Sequence, residues 1–108
     1  MNKIEELCTV LGMSYEEVMN GGRWRHLVRC RKAIAIALHR HGYSFCMIGR
    51  MMQRNHATII YHVNGLAPDK IEQEYIRILG HYIEDNWNRD DTEEQRIRYP
   101  LFPQPGPL

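Results

Sequence analysis

Apolar residues recur at helical spacing along most of the chain, and no segment shows the apolar–polar alternation of a strand. Apolar residues spaced i, i+3, i+4 and i+7 predict a first helix, which Gly12 ends; they are Ile4, Leu7, Cys8 and Leu11. Ser14 and Glu17 have the spacing of a capping box, so a short second helix is predicted to end at Asn20-Gly21-Gly22.

A long third helix is predicted from about Trp24 to Arg40, and its second half, residues 33–38, is apolar on nearly every side. Such a helix is normally central and buried, so we expect its basic first half to project from the core with its arginines outward. We expect Trp24 to anchor the start of this helix by packing, with stacking on a base as the alternative.

Two shorter helices follow a break at 41–43. Ser44 is a good N-cap for a helix over 44–52, and Gln53-Arg54-Asn55 then forms a three-residue connection. Asn55 can cap a further helix over 56–64, whose inner face we assign to Ile59, Ile60 and Val63.

The last predicted helix begins at a second capping box, Asp69 with Glu72, and continues to about Asp85. Residues 1–86 are therefore predicted to form one all-α domain of about six helices with a central helix-turn-helix. Residues 87–108 are polar, then rich in proline, and we expect a disordered tail there. Its acidic residues could instead fold back over a basic surface.

The composition excludes several classes of protein. With 108 residues of which 44% are hydrophobic, the chain can bury only one core, and no apolar run approaches the roughly 18 residues of a membrane span. The start of the chain lacks the order of a secretory signal, so we expect a cytoplasmic protein. Three cysteines without Cys-x-x-Cys spacing argue against disulfides and zinc; we expect Cys8, Cys30 and Cys46 to be buried. We expect no metal, no cofactor and no small-molecule substrate.

Charge is distributed very unevenly along the chain, although the net charge is only +1. Residues 18–68, which we call the acid-free segment, hold eight basic and no acidic residues, and five of the six histidines. The remainder holds six basic and thirteen acidic residues. A block of charge +8 is typical of a surface that binds a polyanion, although a solvated basic surface without a partner is the alternative.

The connection at 53–55 is where base-reading residues would be expected. A recognition helix presents its N-terminal residues to base edges in the major groove, so short or hydrogen-bonding residues should come first and apolar anchors behind them. Arginine can pair with guanine, asparagine with adenine, and the methyl groups of alanine and threonine can touch thymine. We therefore assign base contacts to Arg54, Asn55, His56, Ala57 and Thr58.

At this point the sequence resembles a known family, the C-terminal DNA-binding domain of the bacterial replication initiator DnaA. The resemblance is carried by the run Ile48-Gly49-Arg50-Met51-Met52-Gln53-Arg54-Asn55-His56-Ala57-Thr58-Ile59-Ile60-Tyr61-His62. Over about residues 3–86, the capped helix near Ser14, the arginines before 35–38, Ser44 and the helix with Ile71 and Glu72 also follow the family's order.

The resemblance implies a six-helix, Trp-repressor-like fold. It implies that the residues after Arg54 face bases in the major groove, and that basic residues around the start of the long helix reach phosphates and the minor groove. We assign those backbone contacts to Arg23, Arg25, Arg29, Arg31, Lys32, Ser44 and Arg50. The family's basic pair aligns with Cys30 and Lys32, or, shifted by one residue, with Arg29 and Arg31; we prefer the second register because the charge is there.

The chain also departs from the family pattern. Cys46 and Met47 stand where Pro-Glu is usual, and the turn before Arg54 is one residue shorter than in many members. Asn55 and Ala57 replace a common Asp and Thr, so the base preference need not be the initiator's own. The sequence contains no Gly-x-x-x-x-Gly-Lys-Ser/Thr loop, so we expect no nucleotide-driven activity and no enzyme.

The sequence thus predicts a binder of double-stranded DNA, and the resemblance implies that it acts at the nucleoid in replication initiation or its regulation. The alternative is a protein-interaction or regulatory module that keeps the fold without base readout and binds a replication or regulatory protein. RNA binding is less favoured, because the sequence lacks the interleaved pattern of aromatic residues that stack on single-stranded bases.

Overall fold

The computed structural model describes residues 2–87, which form six α-helices and no strand. The helices are α1 (Lys3–Val10), α2 (Tyr15–Asn20), α3 (Arg25–Arg40), α4 (Phe45–Met52), α5 (His56–Asn64) and α6 (Lys70–Asn86). The all-α prediction and its helix order are confirmed. No helix in this part of the chain has both the length and the apolar character needed to cross a membrane. The tail predicted beyond Trp87 lies outside the described residues.

Side-chain caps begin most of these helices where the sequence predicts them. Ser44 Oγ accepts a hydrogen bond from Met47 N, and Asn55 Oδ1 accepts one from Ala57 N. The capping box of α6 is complete: Asp69 Oδ1 accepts from Glu72 N at 2.8 Å, and Glu72 Oε1 accepts from Asp69 N at 2.9 Å. These bonds satisfy amide groups that a helix leaves without partners, and so they fix the helix starts.

Helices α3 and α6 run parallel and form the centre of the domain. Arg29 near the start of α3 pairs with Asp69 at the start of α6, and His41 after the end of α3 lies 3.6 Å from Glu84. The apolar half of α3, residues 33–38, is buried, as expected. Buried side chains of α6 complete this core; they are Ile76, Leu79 and Ile83.

Two arginines from other parts of the chain bind the C-terminal end of α2. Arg31 Nε donates to Val18 O, and Arg54 Nη2 donates to Met19 O at 2.6 Å. The last turn of α2 carries no basic residue of its own, so these guanidinium groups satisfy its carbonyls and oppose its dipole. The expectation that the basic half of α3 projects outward is therefore wrong for Arg31, which is only 8% exposed.

Several residues lie elsewhere than the sequence predicted. Trp24 is 70% exposed and so is not a packing anchor. Ile60, which we assigned to the inner face of α5, is exposed, and Ile59 is the buried residue of that helix. Ile60 follows Ile59 by about 100° around the helix, which turns it from the core. Trp87, which we assigned to the tail, is buried and donates through Nε1 to Glu6 Oε1 at 2.8 Å.

The cysteines divide into two kinds. Cys8 and Cys30 are buried as expected, and burial raises the pKa of each thiol to about 11. Cys46 is exposed on α4, so the expectation of burial is wrong there. All three are free thiols.

Candidate nucleic-acid interface

The turn between α4 and α5 is unusually tight at Gly49. Arg54 N donates to Gly49 O at 2.8 Å, and a Cβ atom added at Gly49 would lie only 2.8 Å from Arg54 O. Gln53 ends α4 in the left-handed conformation, with φ 56°. Glycine at position 49 therefore allows the chain to fold back closely on α4, and this contact fixes where α5 begins.

The first residues of α5 form an exposed surface. Asn55, His56, Ala57 and Thr58 are all exposed, whereas Ile59 behind them is completely buried. A short polar start anchored by an apolar residue is the arrangement that a recognition helix requires. The side chains to which we assigned base contacts are therefore on the surface, except for Arg54.

Arg54 is half-buried and has a structural contact. Its Nη2 atom donates to Met19 O of α2, which ties the turn before α5 to a helix that lies 35 residues earlier in the chain. A contact to guanine would require this side chain to leave that carbonyl. We therefore consider Arg54 a positioning residue for α5.

The side chain of Asn55 likewise has a structural contact besides its proposed contact to a base. Its Oδ1 atom accepts a hydrogen bond from Ala57 N at 2.8 Å, so the amide oxygen is already engaged in capping α5. A bidentate pair with adenine uses both the oxygen and the NH2 group. With the cap in place, the NH2 group is the better placed half of this side chain, and it can donate to a purine N7, a thymine O4 or a phosphate.

A groove of about 440 Å³ lies between α4 and the start of α5. We call it the α4–α5 groove; it is lined by Cys46, Gly49, Arg50, Gln53, Arg54 and His56. Arg50 is exposed here beside exposed His56. Because α5 begins at this groove and has no acidic residue in its first turn, the positive end of its helix dipole favours an anion here.

A second groove, of about 550 Å³, lies at the other end of α5 and is bounded by the starts of α3 and α6. We call it the α3–α5 groove; its lining includes Arg23, Arg25, Arg29, Lys32, Tyr61, His62, Leu66, Asp69 and Glu72. Arg23 and Arg25 are exposed. Tyr61 is 66% exposed on the face of α5 that also carries Ala57.

Two other side chains of this groove that we assigned to phosphates are already paired with acidic residues. Arg29 donates through Nε and Nη2 to Asp69 Oδ2, at 3.2 and 3.0 Å. Lys32 Nζ donates to Leu66 O at 2.8 Å and lies 3.4 Å from Glu72 Oε1. The backbone amide of Glu72 and then Arg29 hold the pKa of Asp69 below its usual value, so this carboxylate stays charged.

The remaining residues that we assigned to the DNA phosphates and minor groove line neither groove. Arg31 is buried, and burial together with nearby Arg54 lowers its pKa. Ser44 is half-buried and caps α4. Of the residues assigned from the sequence to the DNA phosphates and minor groove, the structure thus leaves three exposed: Arg23, Arg25 and Arg50.

Tyr61 lines the α3–α5 groove and was not among the residues assigned from the sequence. Tyr61 lies four residues after Ala57, one turn along the same face. Helical spacing alone could therefore have predicted that it shares the exposed face of α5 with Ala57. No group of three or more metal-ligating side chains is found among residues 2–87.

Comparisons of the chain with protein-family models, with curated proteins and with solved structures return no match. Over residues 2–87, the structure defines an all-α domain of six helices, with a helix-turn-helix made by α4 and α5. The resemblance to the DnaA C-terminal domain therefore rests on the sequence motifs alone.

Proposed function

We propose that this protein binds double-stranded DNA selectively, with the start of α5 in the major groove. The observation that carries the proposal is the exposed sequence Asn55 to Thr58, anchored by buried Ile59 and flanked by two grooves with exposed arginines. Solvated surfaces normally mix both charge signs, whereas no acidic residue occurs in the chain between Val18 and Pro68.

Each residue at the start of α5 offers a different contact. The NH2 group of Asn55 donates to a base or phosphate acceptor, and the ring of His56 reaches a base edge or a phosphate. The Ala57 methyl group suits a thymine methyl, and the Thr58 hydroxyl can donate or accept. Arg50 contacts a phosphate beside the major groove, while Arg23 and Arg25 contact the backbone or minor groove further along.

The structure changes the expected salt dependence. Affinity falls with salt by a log–log slope of about −0.9 for each neutralised phosphate. If the exposed Arg23, Arg25 and Arg50 each neutralise one phosphate, the slope is about −3. A slope nearer −5 would mean that Arg29 and Lys32 leave Asp69 and Glu72 when DNA binds.

The wider context follows from the family resemblance. We propose a cytoplasmic, nucleoid-associated protein without enzymatic activity, acting in replication initiation or its regulation, alone or with a replication or regulatory protein. The alternative, a protein-interaction module without base readout, is favoured by the exposed apolar side chains Leu66 and Ile71 near the α5–α6 connection. That alternative predicts DNA binding that is weak and the same for every sequence.

Selection of bound duplexes from a random pool, at stated salt, tests the proposal. We expect a preferred site, and we expect His56→Ala to weaken binding to it by about 1–3 kcal/mol. His81→Ala is the matched control, because His81 is also an exposed histidine but lies on α6, away from both grooves. Recovery of no preferred sequence, or equal effects of the two variants, would refute base readout by α5.

A further inference from the structure

The side chain of Trp24 is unusually exposed for its type. It is 70% exposed at the N-cap of α3, whereas Trp87, the other tryptophan of the chain, is 8% exposed. Tryptophan carries the largest apolar surface of any side chain and is enriched where proteins meet partners. Leaving the indole in water has a hydrophobic cost that binding would recover.

The neighbours of Trp24 are cationic. Arg23 and Arg25 on either side are exposed, and the first turn of α3 contains no acidic residue. The amide groups at the start of this 16-residue helix add positive potential. The indole therefore lies in a strongly positive environment, which excludes a cationic partner and favours an anionic one.

The position of Trp24 relates it to the proposed recognition helix. Arg23 and Arg25 line the α3–α5 groove together with Tyr61 of α5. The segment 23–25 thus borders the second half of α5, and a duplex held by α5 would pass beside it. Gly22, with φ +80° and open space around it, permits the chain to turn just before this segment.

We propose that Trp24 is a DNA-contacting residue, which packs on the sugars and base edges of the duplex beside the part held by α5. This inference rests on the proposed function. Arg23 and Arg25 neutralise phosphates on either side. The indole between them covers uncharged groove surface, with which a charged guanidinium group would make a poorer contact. Apolar side chains that contact the minor groove occur in other DNA-binding proteins, and such contacts add affinity without adding charge.

Acrylamide quenching of tryptophan fluorescence tests the inference, with complex formation followed independently by the anisotropy of a labelled duplex. The probe is a duplex of about two helical turns carrying the selected site, mixed with the full chain. Free protein should be quenched readily through exposed Trp24, and saturating duplex should protect it. Trp24→Ala leaves only Trp87, so its quenching should not respond to DNA.

Affinity measurements complete the test. We expect Trp24→Ala to weaken binding about tenfold without changing the salt slope, and Trp24→Phe to retain most of the affinity. Arg23→Ala should instead reduce the slope by about 0.9. Because Trp24 and Arg23 are both exposed, all three variants should unfold at the wild-type temperature, which excludes misfolding as a cause.

The two possible failures are distinguishable. If anisotropy reports a complex while Trp24 remains open to acrylamide, or if Trp24→Ala binds as tightly as the wild type, the inference is overturned and the proposed function survives. If anisotropy reports no complex with any duplex, the proposed function fails and this inference fails with it.

Discussion

Replacement of Gly49 by alanine tests the structure of the helix-turn-helix. The new Cβ atom would lie 2.8 Å from Arg54 O, and 3.5 Å from both Cα and N of His56. Ordinary contacts begin at about 3.4 Å, so the carbonyl of Arg54 must retreat by about half an ångström. Since that carbonyl belongs to the backbone, the turn and the start of α5 must move with it.

The magnitude combines three contributions. Overpacking of this kind costs about 1–3 kcal/mol, and weakening the bond from Arg54 N to Gly49 O adds about 1 kcal/mol. Alanine recovers about 1 kcal/mol through its higher helix propensity. The expected net loss is about 1–3 kcal/mol, and each kcal/mol lowers the unfolding temperature of such a domain by about 4–8 °C.

Gly80 provides a matched control inside α6. A Cβ atom there would meet only His41 Cε1, at an ordinary 3.5 Å. Gly80→Ala should therefore raise stability by about 0.5–1 kcal/mol, the opposite sign for the same substitution. Thermal unfolding followed by circular dichroism measures both. A Gly49→Ala protein as stable as the wild type would refute the tight turn described here.

Three further predictions follow from the charged groups. Asp69→Asn keeps an N-cap for α6 but releases Arg29, so DNA affinity should rise and the salt slope should steepen by about 0.9; unchanged binding in salt titrations would contradict this. Arg31→Ala should lower stability by about 1.5–3 kcal/mol in denaturant unfolding, through the lost bond to Val18 O, and should leave the salt slope of DNA binding unchanged; a reduced slope would instead give Arg31 a phosphate contact. Burial, with nearby cations, holds the pKa of His62 below its usual 6.5, so the unfolded chain binds the proton first and stability should fall as pH drops below 6.5. A His62→Gln protein should lose that pH dependence, and an equal dependence in both proteins would refute it.

The helices were predictable because their signals are local. Caps at Ser14, Ser44, Asn55 and Asp69 each act within three residues, and the structure begins a helix after every one of them. The exposure of the residues that start α5 was predictable for the same reason. Their chemistry and the apolar residue behind them lie within a single turn of helix.

The charge of the acid-free segment did not predict which of its cations remain available for DNA. Arg29 and Lys32 have no acidic neighbour in sequence, yet Asp69 and Glu72 reach them because α3 and α6 run parallel. Arg31 likewise binds a main-chain carbonyl, a partner that a count of charges omits. Partners 13 to 40 residues away in the sequence, brought near by packing, decide which cations remain available.

Other errors arose where local patterns were ambiguous. Ile59 and Ile60 are adjacent and equally apolar, and only the packing of α5 decides which of them is buried. Trp24 has the composition of a core residue, but it precedes the first turn of α3 and points away from the core. The importance of Gly49 depends on how closely the turn approaches α4, a distance that no sequence pattern encodes.

The central claim is that the exposed start of α5 and the arginines beside it form one surface for duplex DNA. Titration of the isotope-labelled protein with the selected duplex, followed by amide chemical shifts, tests it most directly. We predict the largest shifts at 55–58, with further shifts at Arg50 and at 23–25, and little change at His81 on α6. Shifts centred on α6, or none at 55–58 in a saturated complex, would contradict the account.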